Sequence, residues 1–272
     1  MIHWGIISPI LVKSKILLSD NNKINPGWDS EVDPEILSKW QKVVTDNEGC
    51  ALAVPRAVTT QEAGAIHSLV AFADASAKAY GICIYVRTIY TNGEITCRLL
   101  TSKARVVSKE ITIPRSELVA LGLAVRMTKT VVCEMDLVFK NVYVFTDSMI
   151  ALHWVKKSEK TKTFVANRVK EVRELLVDLA DDRQVECLHV RTDENPADAT
   201  TRGLTIQEMS DHIWWEGPTW LKQARVDWPA SCNNFELEAD EEEKVAEEVT
   251  TIVTMLQLDS GLEETAVPFH CT

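Results

Sequence analysis

The order of elements predicts an α/β fold: one mixed five-stranded sheet flanked by helices, with a helical N-terminal extension and a flexible acidic C-terminal tail. Three observations carry this. Three strand-like runs follow one another from residue 66, and strand and helix then alternate. Strands in direct succession pair as an antiparallel meander, whereas a strand that returns after a helix adds in parallel. The 272 residues, of ordinary globular hydrophobicity, bury one good core with appendages, or two small domains.

Residues 1–62 read as helical and linking. DPEILSKWQKVV places Pro34 just after Asp33, a helix-start signal, and sets Ile36, Trp40, Val43 and Val44 on one face. IHSLVAFAD is then a short apolar run closing on Asp74. AYGICIYVRT and ITCRLLTSKARVV are strands separated by a turn at Thr91-Asn92-Gly93. IPRSELVALGLAVRMTKTVV is a helix with Pro114 near its start and Glu117 in its first turn or so. NVYVFTD is a fourth strand ending in Asp147, and helical SMIALHWVKK follows. TFVANRVKEVRELLVDLA spaces Phe164, Val165, Val169, Val172, Leu176 and Leu179 along an amphipathic helix. QVECLHV is the fifth strand. In ENPADATTRG, Asn195 caps a last short helix, Pro196 is pre-bent for its first turn and Gly203 suits its exit. Thr205 and Glu208 have the spacing of a capping box for one more helix.

This divides the chain into residues 1–62, a sheet-bearing domain at 63–204, a helix with a Trp-rich segment at 205–229, and a tail at 230–272. The net charge is −11, but the tail holds eleven acids and one Lys, a net of −10. The remainder is nearly neutral and free to present a local basic face to a nucleic acid. The tail reads as disordered, with a helical piece around Val245–Leu258. Seven cysteines without CxxC spacing read as reduced, mostly buried thiols in an intracellular protein, and His270-Cys271 as chance rather than half a metal site. The opening segment lacks the basic n-region and cleavage site of a secretory signal, and no apolar run is long enough to span a membrane. The expected location is cytoplasmic.

Taken singly, each of four acids has a bland explanation. Asp74 and Asp147 end strands, and Glu117 and Asp198 lie in first helical turns, where the dipole alone favours them. Gathered at one sheet edge, the four carboxylates repel by several kcal/mol at intermediate dielectric. Cations relieve that cost. Oxygen-only ligands suit Mg²⁺ or Mn²⁺ rather than zinc, and two such ions about 3.5–4 Å apart form the clamp used for in-line displacement at phosphate.

FADAS (72–76), IPRSEL (113–118), FTDS (145–148) and NPADATTRG (195–203) together resemble the ribonuclease H region of Bel/Pao-type LTR retrotransposon polyproteins. The resemblance covers most of the chain. KILL, GWD and the Trp40 helix look like the end of a preceding polymerase-connection segment, and WWEGPTWL like the sequence just after the nuclease. It implies a ribonuclease H-like fold and metal-dependent endonucleolytic cutting of the RNA strand of RNA·DNA hybrids during reverse transcription. The implied partners are the hybrid, a reverse transcriptase and other segments of the polyprotein, within virus-like particles. Asp74 is implied to bridge two Mg²⁺ (or Mn²⁺) ions, Asp198 to complete the nucleophile-side site, and Glu117 with Asp147 to complete the other. Glu117 is also implied to touch an RNA 2′-OH, the group that marks RNA. Ser76, Ser148, Lys103 and Arg105 are candidate contacts to the substrate backbone.

The resemblance has departures. Many ribonucleases H carry a His just before the last acid, where it assists product release; here the loop reads RTDE, and His189 reads as a strand-face histidine. Arg191 and Ala199 stand where Pro and a larger aliphatic residue are expected. Alternatives stay open: a catalytically silent fragment acting as a binding or scaffold module, or an integrase-like DNA nuclease. The latter places its glutamate last, whereas here the matching Glu117 comes second. Asp259-Ser260-Gly261 superficially matches an aspartic-protease triplet, but too few residues follow to build a half-barrel. Trp214, Trp215 and Trp220 are expected to pack onto the domain rather than to stack on bases.

Overall fold

The computed structural model describes residues 5–24, 27, 29–54, 57–60, 62–108, 111–157 and 162–232. The acidic segment from residue 233, with its expected helical piece, Asp259-Ser260-Gly261 and His270-Cys271, lies outside the described residues. Two helices come first, α1 (Ser8–Ile24) and α2 (Pro34–Thr45), then the strands β1 (Ile66–Ala75), β2 (Ala79–Ile89) and β3 (Ile95–Val106). Next are α3 (Ile113–Glu134), β4 (Phe139–Thr146), α4 (Met149–Lys156), α5 (Thr163–Leu179) and β5 (Gln184–His189). Two four-residue helices follow, α6 (Ala199–Arg202) and α7 (Ile206–Met209).

The sheet order is β3-β2-β1-β4-β5. As expected of the meander, β1–β2 and β2–β3 are antiparallel, while β1–β4 and β4–β5 are parallel. This is the mixed sheet anticipated from the element order, and the ribonuclease H-like arrangement that the family resemblance implies. Strand β1 is central and buried along nearly its whole length. That is why IHSLVAFA reads as an almost unbroken apolar run.

The two faces of the sheet are covered differently. Leu69, Ala71 and Ala73 of β1 meet Leu118, Leu121 and Val125 of α3 and Val165, Val169 and Val172 of α5. Val70 and Phe72, pointing the other way, join Tyr85, Phe145, Trp214, Trp220 and Trp228. Phe72 stacks on Phe145 with centroids 5.0 Å apart, and Trp220 lies 5.4 Å from Phe145. Trp214 and Trp220 are therefore core residues, as expected; Trp215 is half-buried and donates its indole N–H to the Met209 carbonyl at 2.5 Å. The buried Arg87 fixes this segment, donating from Nε to the Leu221 carbonyl and from Nη2 to that of Gln223, each at 2.7 Å. The sequence reading had no sign of Arg87, because a strand Arg is ordinarily exposed.

The N-terminal helices divide in the same way. Val12 of α1 packs with Ala79 and Ala104, so α1 lies on the β3 edge. Asp33 caps α2 as predicted, accepting from Glu35 N at 2.9 Å and Ile36 N at 3.2 Å. Its apolar face is only partly used: Ile36 is buried, while Trp40 and Val44 are exposed. The capping box at Thr205 and Glu208 is present, but the helix it starts is one turn long. Six described cysteines are free thiols; Cys83, Cys97 and Cys232 are buried, Cys187 is partly so, and Cys50 and Cys133 are exposed against expectation. Among the described residues no helix is long and apolar enough to cross a membrane.

Gly81 shows how tightly the last segment closes. It pairs with Asp74, and a Cβ there would lie 2.7 Å from the Ala197 carbonyl oxygen and collide with the Thr200 hydroxyl. Gly81→Ala is therefore expected to cost about 1–3 kcal/mol by overpacking. Urea denaturation checks this, an unchanged midpoint contradicting the tight contact.

Candidate active site

Strand register places the first two acids. Ala73 of β1 pairs with Thr146 of β4, so Asp74 and Asp147 each come next, at the ends of adjacent parallel strands. Val190 N donates to the Thr146 carbonyl at 3.1 Å, so the chain leaving β5 passes the same rim. The expected single helix of ENPADATTRG is instead a 3-10 turn at Pro196–Asp198 followed by α6. Asn195 anchors this turn. Its Oδ1 accepts from Ala197 N at 3.1 Å, while its Nδ2 donates to the Ala73 carbonyl at 3.0 Å. One buried side chain thus starts the turn and ties it to the end of β1. Gly203 closes α6 with φ of 80°, where a non-glycine residue is strained.

Three aspartates share this rim. Asp74 is buried and accepts a hydrogen bond from the Thr201 hydroxyl. Burial and the negative charges of Asp147 and Asp198 raise its carboxyl to about 6, against the Thr201 bond. Burial also raises Asp147, while hydrogen bonds from Thr192 and Asn195 pull the other way and Asp198 adds repulsion. Burial raises Asp198 too, offset by Arg202 and His212. Arg202 Nε stands 2.6 Å from Asp198 Oδ1, one helical turn away.

Glu117 approaches from α3, half-buried. Its neighbour Ser116 is buried and hydrogen-bonded to Tyr80, which pairs in register with Ala75, one residue past Asp74. The start of α3 is therefore directed to the rim, although the largest charge effects on Asp74 come from Asp147 and Asp198.

The donor chemistry fits a hard divalent cation. All four groups are carboxylates, and Asp147 Oδ1 is buried with no hydrogen-bond partner among the described residues. Yet no group of three or more His, Cys, Asp or Glu side chains is drawn together tightly enough to hold a metal among those residues. Asp198 is instead engaged by Arg202, the ordinary outcome for neighbouring like charges that have a guanidinium within reach.

The other expected residues fare differently. Ser76 accepts from Lys78 N at 3.2 Å and Ala79 N at 3.0 Å, closing the β1–β2 turn. Ser148 is buried and caps α4 by accepting from Ala151 N at 3.1 Å. Both hydroxyls thus serve local structure. Lys103 and Arg105 are exposed on β3. His189 is half-buried and pairs in register with Thr146. Arg191 forms a two-pronged ion pair with Asp193, both contacts at 3.0 Å. Thr201 and His212 were missed: Thr201 lies within NPADATTRG but carried no expected role, and His212 lies outside every motif, although Asp198 and Arg202 stand four apart, a readable helical pair.

A family model described as a Pao retrotransposon-like RNaseH-like domain matches residues 3–148. The chain belongs to that family. The Pao match takes in FADAS, IPRSEL and FTDS and ends before NPADATTRG. Solved structures similar to this Pao-family chain include RNase H1 from the halophilic archaeon Halobacterium salinarum NRC-1. That pair is 18% identical over 49% of this chain and 93% of the other, with a TM-score of 0.34. LC11-RNase H1 in complex with an RNA/DNA hybrid is 16% identical over 52% and 98%, with a TM-score of 0.36. The foamy viral protease-reverse transcriptase in complex with dsDNA is 14% identical over 66% of this chain and 34% of the other, at 0.38. Similarity at this level says nothing of activity. A search of the curated proteins gives no match.

The raised Asp74 carboxyl sets a sign. The folded state holds its proton above the ordinary range of 3.8, so ionised Asp74 destabilises the fold as pH rises through about 4 to 6. In chelator at pH 7.5, Asp74→Asn is expected to be more stable than the parent by up to about 3 kcal/mol, the gap shrinking toward pH 4. Urea midpoints across that range test it; a gap independent of pH contradicts the account.

Proposed function

We propose that this Pao-family domain is a ribonuclease H, hydrolysing the RNA strand of RNA·DNA hybrids during reverse transcription, alongside a reverse transcriptase and other segments of one polyprotein. The observation that carries the reading is the rim itself. Three aspartates from separate parts of the chain, Asp74 buried and Asp147 and Asp198 half-buried, stand in mutual repulsion, with the Asp147 Oδ1 left without a hydrogen bond among the described residues. A fold retains such a cost at functional sites more than elsewhere.

Asp74, Glu117, Asp147 and Asp198 are the residues proposed to hold Mg²⁺ or Mn²⁺. Two such ions would supply Lewis-acid stabilisation at phosphate and a nucleophile at neutral pH. The chain's own residues do the positioning. Thr201 orients Asp74, and its hydroxyl also lies 3.0 Å from the Asp198 carbonyl, so the two acids share one anchor. Asn195 holds the 3-10 turn against β1 and hydrogen-bonds Asp147. Arg202 neutralises Asp198 and has to yield it for the carboxylate to ligate.

The full chain is expected to cut the RNA strand of a labelled hybrid in Mg²⁺ and not in chelator. Asp147→Asn should lower the rate by about a hundredfold or more while leaving the fold intact. Equal cutting by parent and variant points to another site.

A further inference from the structure

We propose that the nucleic-acid surface extends from the acidic rim into a basic cleft on the β3 edge, where Lys15 of α1 joins Lys103 and Arg105 to hold a sugar-phosphate backbone. The inference deepens the nuclease reading and rests on it for the identity of the duplex. The cleft, about 530 Å³, lies between α1, β3 and α3, with Lys15, Lys103, Arg105 and Arg126 among its lining residues. Arg126 is engaged by Glu171. The other three cations are exposed, and none has a carboxylate within salt-bridge distance among the described residues.

Their placement is what calls for a polyanion. Lys15 Nζ donates to the Ala104 carbonyl at 3.2 Å, which seats its charge between the two strand cations. Lys103 and Arg105 point to one face of β3, about 6–7 Å apart along the strand. Burial and the nearby Arg105 and Lys15 lower the Lys103 ammonium, so the three feel one another. A row of mutually repelling cations fits repeated charges better than a single compact anion, and a nucleic-acid strand presents one about every 3.4 Å of axis.

The row also begins at the right place. Asp74 pairs with Gly81 and Gly81 with Ala104, so Ala104 lies two strands from Asp74, about 10 Å away. Arg105 is one residue from the end of β3, on the side where β1 also ends. A duplex over the carboxylates is thus within reach of the cleft. An acidic peptide is the rival occupant, but it would have no reason to abut a rim of repelling carboxylates.

The test measures binding of a fluorescent RNA·DNA hybrid to the full chain in chelator, across a salt series. Lys15→Gln/Lys103→Gln is expected to weaken binding about tenfold and to flatten the salt slope by about two, with an unchanged unfolding midpoint. Lys170→Gln, on α5, should change neither. Unaltered affinity and slope in the double variant overturn the proposal. So does Lys15-dependent capture of a poly-glutamate peptide together with hybrid binding that ignores the substitutions. Parent chain that binds through the cleft but never cuts in Mg²⁺ sinks the nuclease reading alone; cutting with cleft-independent binding sinks the cleft alone.

Discussion

Burial of β1 on both faces is the constraint from which the rest follows. A central strand covered by α3 on one side and by tryptophans on the other cannot leave its terminal carboxylate in bulk water. Asp74 is buried because its strand is, and every other feature of the rim answers to that charge. Thr201 donates to it, Asn195 secures the strand end beside it, and Gly81 opposite it has no side chain so that α6 fits.

The C-terminal segment is the second support, and it acts at a distance. Trp214, Trp220 and Trp228 close the sheet face below the rim, held by Arg87 and by the Tyr85 hydroxyl, which donates to the Trp214 carbonyl at 2.9 Å. Buried polar groups that are fully partnered rigidify what they join. The turn and helix carrying Asp198 pack against β2 and against α1, where Leu204 N donates to the Pro9 carbonyl at 3.1 Å. Segments outside the sheet therefore set the acids' geometry.

Electrostatically the rim and the β3 edge are complementary extremes of a nearly neutral body. Three carboxylates are raised by burial at one, Asp74 and Asp147 also by repulsion, and three cations without carboxylate partners among the described residues crowd the other. Surface ion pairs of the usual kind contribute little, so their presence elsewhere needs no explanation. Concentration of one sign at each place does, and a ligand that carries both phosphates and cations satisfies both.

Most of the fold was legible because it depends on local pattern. Alternation, an unbroken apolar run at β1, Pro114 and the capping box mark where elements begin, and the succession of strands determines which pairs are antiparallel. Asp74 and Asp147 were legible as strand ends and Asp198 as a helix start, whereas Glu117 stands just beyond the first turn of α3 in which it was expected. Tertiary structure alone decided what those acids meet. Thr201 on Asp74, Arg87 under the tryptophans and Lys15 between two strand cations join residues far apart in the chain, and His212 reaches Asp198 from a separate turn. Periodicity reports which face a residue takes, but partners across the sheet are chosen by packing. For the same reason α2 shows its amphipathic stripe in the sequence, and only the structure reveals that Trp40 is left uncovered.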